Sequence, residues 1–306
     1  MKVPTVPISV VICTRDRPDD LSRCLESVAA LDPQPMEVIV VDQSSTPFVP
    51  PAGGPPIRHH WMKERGASRS RTRGLELARG EIIAFLDDDC VVGPTWASDV
   101  QAAFARHPDS GIIFGAVVAG GAHGDSYVPT YTIPRERRLK GRMSAHKAHG
   151  LGAAMYLRPS AAAKVGKFDP RLGPGSEFRN SEDWDYNFRA LAAGVVIVET
   201  PAVVVEHFGA RSYADGSAAR LLRASAYSHG AVHAKLLRCG DPISLVLFLS
   251  ELVELVTVLR PLNALRGRPT NAARSTMYFR GLIAGSRPAV RRSERIFADA
   301  EAELTA

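Results

Sequence analysis

The sequence predicts a doubly wound α/β fold, with a mostly parallel sheet between helices and a helical extension at the C-terminal end. Three observations carry this. Over the first two thirds of the 306 residues, short apolar runs alternate with stretches of helical apolar spacing. Acidic residues close two of those runs, Asp42 after VIVV and Asp87-Asp88-Asp89 after IIAFL. In open parallel sheets this is the edge where ligands bind. Beyond residue 216 only helical patterns follow, which sets two expected units, 1–216 catalytic and 217–306 helical.

The elements follow in order. Residues 8–13 read as a buried strand. Pro18-Asp19-Asp20 then opens a helix, with Leu21, Cys24, Leu25 and Val28 spaced to share one face. Strands are expected at 38–41, 57–61, 82–86 and 112–118, with helices at 67–78 and 95–106 between them. Residues 119–149, rich in Gly, His and basic side chains, read as one long loop. Apolar character resumes at 151–157, and a helix is expected over about 181–193, stopped by Gly194. Two short strands are expected at 195–198 and 202–205, the second leading into Glu206-His207.

Composition narrows the class. Apolar residues make up 45% and charged residues 23%, the profile of a globular protein rather than a disordered one. The net charge is +6. Residues 1–207 hold 24 basic and 24 acidic side chains, whereas 208–306 hold 14 and 8, so the excess lies in the C-terminal third. Such a charge suits nucleic acid, an anionic surface or an acidic substrate, or simply a solvated helical face. No nucleic-acid recognition motif accompanies it. The four cysteines form no CxxC pair, and their spacing suits neither a zinc site nor a disulfide framework, so a reducing cytoplasm is expected. No signal peptide or uncharged run of membrane-spanning length is read.

Three motifs carry chemistry. In FLDDDC, residues 85–90, three adjacent carboxylates repel one another and need compensation. A hard divalent cation with a diphosphate supplies it. A polar turn would explain one Asp, but three after a buried strand favour ligand binding. In NSEDWDYNFRALAAG, residues 180–194, Glu182, Asp183 and Asp185 crowd the first turn of a helix. Offsetting the helix dipole would account for them alone, with Asn180 or Ser181 as cap. His207 closes a strand, and a lone His is more often structural than a ligand.

Four blocks in this order, ISVVICTRDRPDDLSRCLESV, VIVVDQSS, GASRSRTRGLELARGEIIAFLDDDC, and FRNSEDWDYNFRALAAG with the later EHF, resemble glycosyltransferase family 2. They span roughly residues 7–208. The resemblance implies the GT-A fold and an inverting transfer of a sugar from a nucleotide-sugar donor to a hydroxyl acceptor. It implies that Thr14 and Arg15 line the nucleotide pocket, that Asp42 bonds the base, and that Arg71 lies near the donor. Asp87-Asp88-Asp89 matches the DxD motif, with Asp87 at the ribose or metal and Asp89 on the metal, Mn²⁺ or Mg²⁺. Glu182-Asp183 matches the ED motif, with Asp183 as base, and His207 matches a His that completes the metal shell. Residues 119–149 match no family motif.

Other classes fit less well. A nicotinamide dehydrogenase or a sugar nucleotidyltransferase would want a Gly-rich turn after the first strand, where this chain has CTRDRPDD. A non-catalytic nucleotide-sugar-binding protein would have no need to keep both the acidic cluster and the base. The expected acceptor is a saccharide or a lipid-linked sugar. In the C-terminal region Leu245, Phe248, Leu249, Leu252, Val256 and Leu259 recur at helical spacing, followed by Arg260, Arg266 and Arg268. That stripe suits peripheral contact with the inner face of the cell membrane, or equally packing on the catalytic unit or in a homodimer.

Overall fold

The computed structural model describes residues 4–49, 55–121, 124–253 and 272–299. Chain order is β1 (Thr5–Thr14), α1 (Pro18–Ala29), β2 (Gln34–Asp42), β3 (Ile57–Trp61), α2 (Ala67–Leu77), β4 (Ile82–Asp87), β5 (Cys90–Val92), α3 (Trp96–Arg106) and β6 (Ile112–Ala119). Then follow β7 (Ser126–Tyr127), β8 (Arg137–Leu139), β9 (Met155–Leu157), α4 (Pro159–Val165), α5 (Glu182–Ala192), β10 (Ile197–His207) and β11 (Arg211–Ser212). Last come α6 (Ser217–Arg238), α7 (Pro242–Val253), α8 (Ala272–Gly285), β12 (Val290–Arg291) and β13 (Ile296–Phe297).

The main sheet runs β3-β2-β1-β4-β9-β6-β10-β5, with β8 also on β10. Strands β3, β2, β1 and β4 are parallel, as are β6 and β10, while β9 lies antiparallel between β4 and β6. This is the GT-A architecture, a mostly parallel sheet with helices on both sides. From β1 the chain winds outward through β2 and β3, then returns to place β4 on the other flank of β1. Strand order reverses there, and the carboxyl ends of β1 and β4 open a crevice at the reversal.

The residues explain the layers. Every residue of β1 from Ile8 to Ile12 is buried, because the strand is covered on both faces. Val10 and Ile12 pack with Leu21, Cys24, Leu25 and Val28 of α1 and with Trp96 and Val100 of α3. Val11 belongs to the opposite core, with Phe85, Phe168, Tyr186 and Phe188. Helix α2 lies close on β1: a Cβ at Gly74 would stand 2.2 Å from Val11 Cγ1, so only glycine fits. That close approach carries Arg71 beneath the crevice.

Several expectations change. Residues 119–149 are not one loop: β7 pairs with β11, β8 pairs with β10, and 142–147 form a 3-10 turn. Short pairings like these carry too few residues to show a period. Strands expected at 195–198 and 202–205 are one strand, β10, whose pairing with β6 slips between Glu199 and Val204 and absorbs Pro201 there. The segment after 216 is not helical throughout, since β12 and β13 form a small hairpin.

The C-terminal helices dock tightly. Lys235 on α6, fully buried, sits 2.6 Å from Asp169 and 2.6 Å from Asp185, and Arg189 holds the other oxygen of Asp185 at 2.9 Å. Helix α6 crosses α8 where Gly230 meets the Tyr278 carbonyl and Gly281 meets the Tyr227 carbonyl, with no room for a Cβ. Among the described residues no helix is long and apolar enough to cross a membrane. Of the C-terminal stripe, Leu245 and Leu249 are exposed while Phe248 and Leu252 are half-buried. Val256, Leu259, Arg260, Arg266 and Arg268 lie outside the described residues.

Candidate active site

A cavity of about 440 Å³ opens at the carboxyl ends of β1 and β4. Thr14 and Arg15 border it from the end of β1, and Asp87, Asp88 and Asp89 from the end of β4. Arg71 from α2, Glu182 and Asp183 from α5, and His207 from the end of β10 close it. All expected site residues except Asp42 therefore meet at one place.

The β4 cluster is compensated almost completely. Asp88 accepts the Thr14 hydroxyl at 2.8 Å on one oxygen and Arg17 Nη1 at 2.9 Å on the other. Asp89 accepts the same Arg17 nitrogen at 2.8 Å, and its second oxygen lies 3.2 Å from His207 Nε2. Asp87 is met by Arg71 Nη2 at 3.0 Å. Burial pushes Asp88 up to about 6, and the Asp89 charge adds to it against the pull of Arg17. Burial also works to raise Asp89, but the hydrogen bond and charge of His207, with Arg17, hold it well below the usual carboxylate range.

His207 is placed by pairing on both sides, opposite Cys90 of β5 and Ala119 of β6. The Phe208 N–H then donates to the Asp89 carbonyl at 2.8 Å. Gly209 completes the turn, and a Cβ there would strike Asp89 Oδ2 at 2.5 Å and the His207 ring at 2.6 Å.

Across the cavity, the helix α5 begins from an unusual turn. Arg179 and Ser181 both hold left-handed backbone, with φ of 57° and 68°, a costly conformation for non-glycine residues. Neither Asn180 nor Ser181 caps the helix as expected: Asn180 Oδ1 accepts the Ser181 N–H, and no side-chain cap bond forms. Arg71 Nη1 engages Glu182 at 2.5 Å. Among the described residues Asp183 receives only backbone N–H groups, from Trp184 at 2.7 Å and Gly152 at 3.2 Å. Burial, and next the neighbouring Glu182 charge, push its carboxyl up to about 6.

Asp42 stands apart. Its carboxylate is wholly buried and accepts the Ser44 N–H at 2.8 Å and the Phe48 N–H at 2.7 Å, with His59 Nε2 at 3.0 Å. It shapes the loop after β2 and does not border the cavity. Several cavity residues were not singled out in the sequence, among them Arg17, Arg211 and Pro129, and Asn180 was read there only as a helix cap. The pairing of β7 with β11 brings Arg211 and the segment that carries Pro129 to the cavity. Only Arg17 left a local signal, a second arginine in the CTRDRP loop.

The donor set fits a divalent cation. Ligand atoms of Asp89, Cys90 and His207 lie within 4.8 Å of one another. His207 Nδ1 is buried with no hydrogen-bond partner among the described residues. Cys90 is the odd member, since burial raises its thiol far above the usual range and Mn²⁺ or Mg²⁺ prefers oxygen. The Asp89 carboxylate supplies that oxygen.

Comparisons with known proteins bear on this site. Residues 9–166, half of the chain, match the sequence model described as Glycosyl transferase family 2. A glucosyl-dolichyl phosphate glucuronosyltransferase of Haloferax volcanii is 36% identical over 178 residues, covering 54% of this chain and 57% of that protein. An uncharacterized glycosyltransferase of Escherichia coli, YibD, is 32% identical over 97 residues, 30% of this chain and 28% of that one. The chain thus spans little more than half the length of the first relative and less of the second. Among solved structures, S. aureus TarS 1-349 superposes with a TM-score of 0.52 at 16% identity, over 72% of this chain and 64% of that one. At that identity the likeness is one of fold.

Proposed function

The chain belongs to glycosyl transferase family 2, and on that premise we propose that it is an inverting glycosyltransferase that moves a sugar from a nucleotide-sugar donor to an acceptor hydroxyl. The observation that carries the reading is the convergence, on one cavity, of the Asp87–Asp89 cluster, His207 and Asp183 from three separate parts of the chain.

The roles follow from position. Thr14 and Arg15 border the nucleotide end. Asp87, Asp89 and His207 would hold Mn²⁺ or Mg²⁺, which would offset the negative charge growing on the departing nucleoside diphosphate. Asp183 takes the proton from the acceptor hydroxyl, because its raised carboxyl is basic enough to do so and ionised near neutral pH. Glu182, next to the base, pairs with Arg71, while the Trp184 and Gly152 N–H groups hold the Asp183 carboxylate. The hydroxyl attacks the anomeric carbon opposite the leaving group, and one displacement inverts the configuration.

For the acceptor, the reading takes a lipid-linked sugar at the membrane surface. The Haloferax relative is named for a glucosyl-dolichyl phosphate acceptor. Helices α7 and α8 expose Leu245, Val246, Leu249, Phe279 and Ile283, and α8 also exposes Arg274 and Arg280, a combination suited to anionic headgroups.

The test is calorimetry with a panel of nucleoside diphosphates, with and without Mn²⁺, followed by turnover with the matching sugar donors. A nucleoside diphosphate should bind in the micromolar range or tighter with metal and lose most affinity with chelator. Equal binding in both conditions would sink the metal, and no turnover with any donor would sink the enzyme.

A further inference from the structure

Two adjacent buried carboxylates cannot both stay ionised without a cation between them. In this structure the cation is part of the chain. Arg17 Nη1 lies between Asp88 Oδ1 at 2.9 Å and Asp89 Oδ2 at 2.8 Å. The remaining oxygens are taken by Thr14 and by His207, so all four carboxylate oxygens of the pair are engaged. The Asp88 and Asp89 side chains are 7% and 5% exposed. The Arg17 side chain, by contrast, is 35% exposed and arises from the residue just before α1, which makes no side-chain capping bond. It borders the open cavity. His207 Nδ1, buried with no partner among the described residues, is a donor atom that the guanidinium does not satisfy.

We propose that Arg17 is the resident counter-cation of the Asp88–Asp89 pair, which a divalent cation must displace to bind. The inference rests on the donor-site reading above and adds a determinant that the reading lacks. Metal affinity is set by competition: the guanidinium holds the acidic pair together in the metal-free protein, at the cost of weakening whatever cation enters. A charge-assisted contact to two carboxylates is strong enough for the competition to be measurable. Once displaced, Arg17 remains on the cavity wall beside Arg15, so the cavity keeps its positive charge while the carboxylates change partner.

The experiment is titration of the nucleotide-free protein with MnCl₂ by calorimetry, for wild type, Arg17→Gln and Arg17→Lys. Removing the competitor should tighten Mn²⁺ binding by about tenfold or more in Arg17→Gln, with Arg17→Lys between the two. Thermal unfolding gives an independent readout. Without metal Arg17→Gln should melt lower than wild type, and saturating Mn²⁺ should raise its Tm by more. If Arg17→Gln does not fold, Arg17→Lys carries both measurements. Wild-type binding with unchanged or weaker binding in the variants overturns the proposal while leaving the metal site standing. No Mn²⁺ binding to any of the three proteins overturns the metal site and the proposal with it.

Discussion

The chain carries two acidic triplets, and they are treated in opposite ways. At the end of β4, Asp87, Asp88 and Asp89 are met by Arg71, Arg17, Thr14 and His207, so nearly every oxygen has a cationic or hydroxyl partner. At the start of α5 the three are split. Glu182 is paired with Arg71, Asp185 is locked between Lys235 and Arg189, and Asp183 is left with two backbone N–H groups. On the proposed reading the same residue type serves three ends: carboxylates gathered to share a cation, one buried as a strut, and one met by backbone N–H groups that would accept a proton. Environment, not identity, separates the roles.

The largest expected effect comes from breaking the strut. Lys235→Met leaves Asp169 and Asp185 buried without their shared cation. Loss of one partner from such a group costs about 3–5 kcal/mol. Chemical denaturation should show a loss of that order, and a variant within about 1 kcal/mol of wild type would mean that the network contributes little.

Next is the base itself. Asp183→Asn keeps the size and the backbone contacts but cannot take the proton. Donor binding should persist while turnover falls by about 10²-fold or more. Turnover near wild type would remove Asp183 from the role. On the other side of the cavity, His207→Ala should weaken Mn²⁺ binding by about 10- to 100-fold with the fold intact. Unchanged metal affinity would make His207 a partner for Asp89 and nothing more.

How much of this was legible in the sequence depends on the range of the interaction. Asp87–Asp89 form a contiguous run and Glu182, Asp183 and Asp185 crowd one helical turn, so both groups stood out, and the strand pattern placed the first at the sheet's carboxyl edge. The compensation did not stand out, because it is made by residues far away in the chain: Arg17 against Asp89, Arg71 against Glu182, Lys235 against Asp185. No local pattern distinguishes Asp183 from Asp185, yet one borders the cavity and the other is sealed in the core. The β7–β11 pairing escaped for the same reason, as each strand spans only two residues and exists through its partner. Asp42 shows the converse: its position at a strand end was readable, but not that its loop's own N–H groups engage both oxygens.

The smallest effect is the most discriminating, because it tests why Asp183 differs from its neighbours. Its carboxyl is raised to about 6, first by burial and then by the Glu182 charge. The base must be ionised to act, so kcat/KM should fall with unit slope as pH drops below about 6 and level off above it. A base with the ordinary carboxylate value would hold activity to about pH 4. Glu182→Gln removes the second cause and keeps the first. It also leaves the Arg71 guanidinium without its carboxylate beside Asp183, and a nearby cation lowers a carboxyl further. Both changes favour the ionised form, so the acid limb should move to lower pH, by roughly one unit or less. An acid limb that stays at the wild-type pH would assign the raised value to burial alone. A limb that moves upward would mean that Glu182 holds Arg71 where it helps the base, reversing the sign of its contribution.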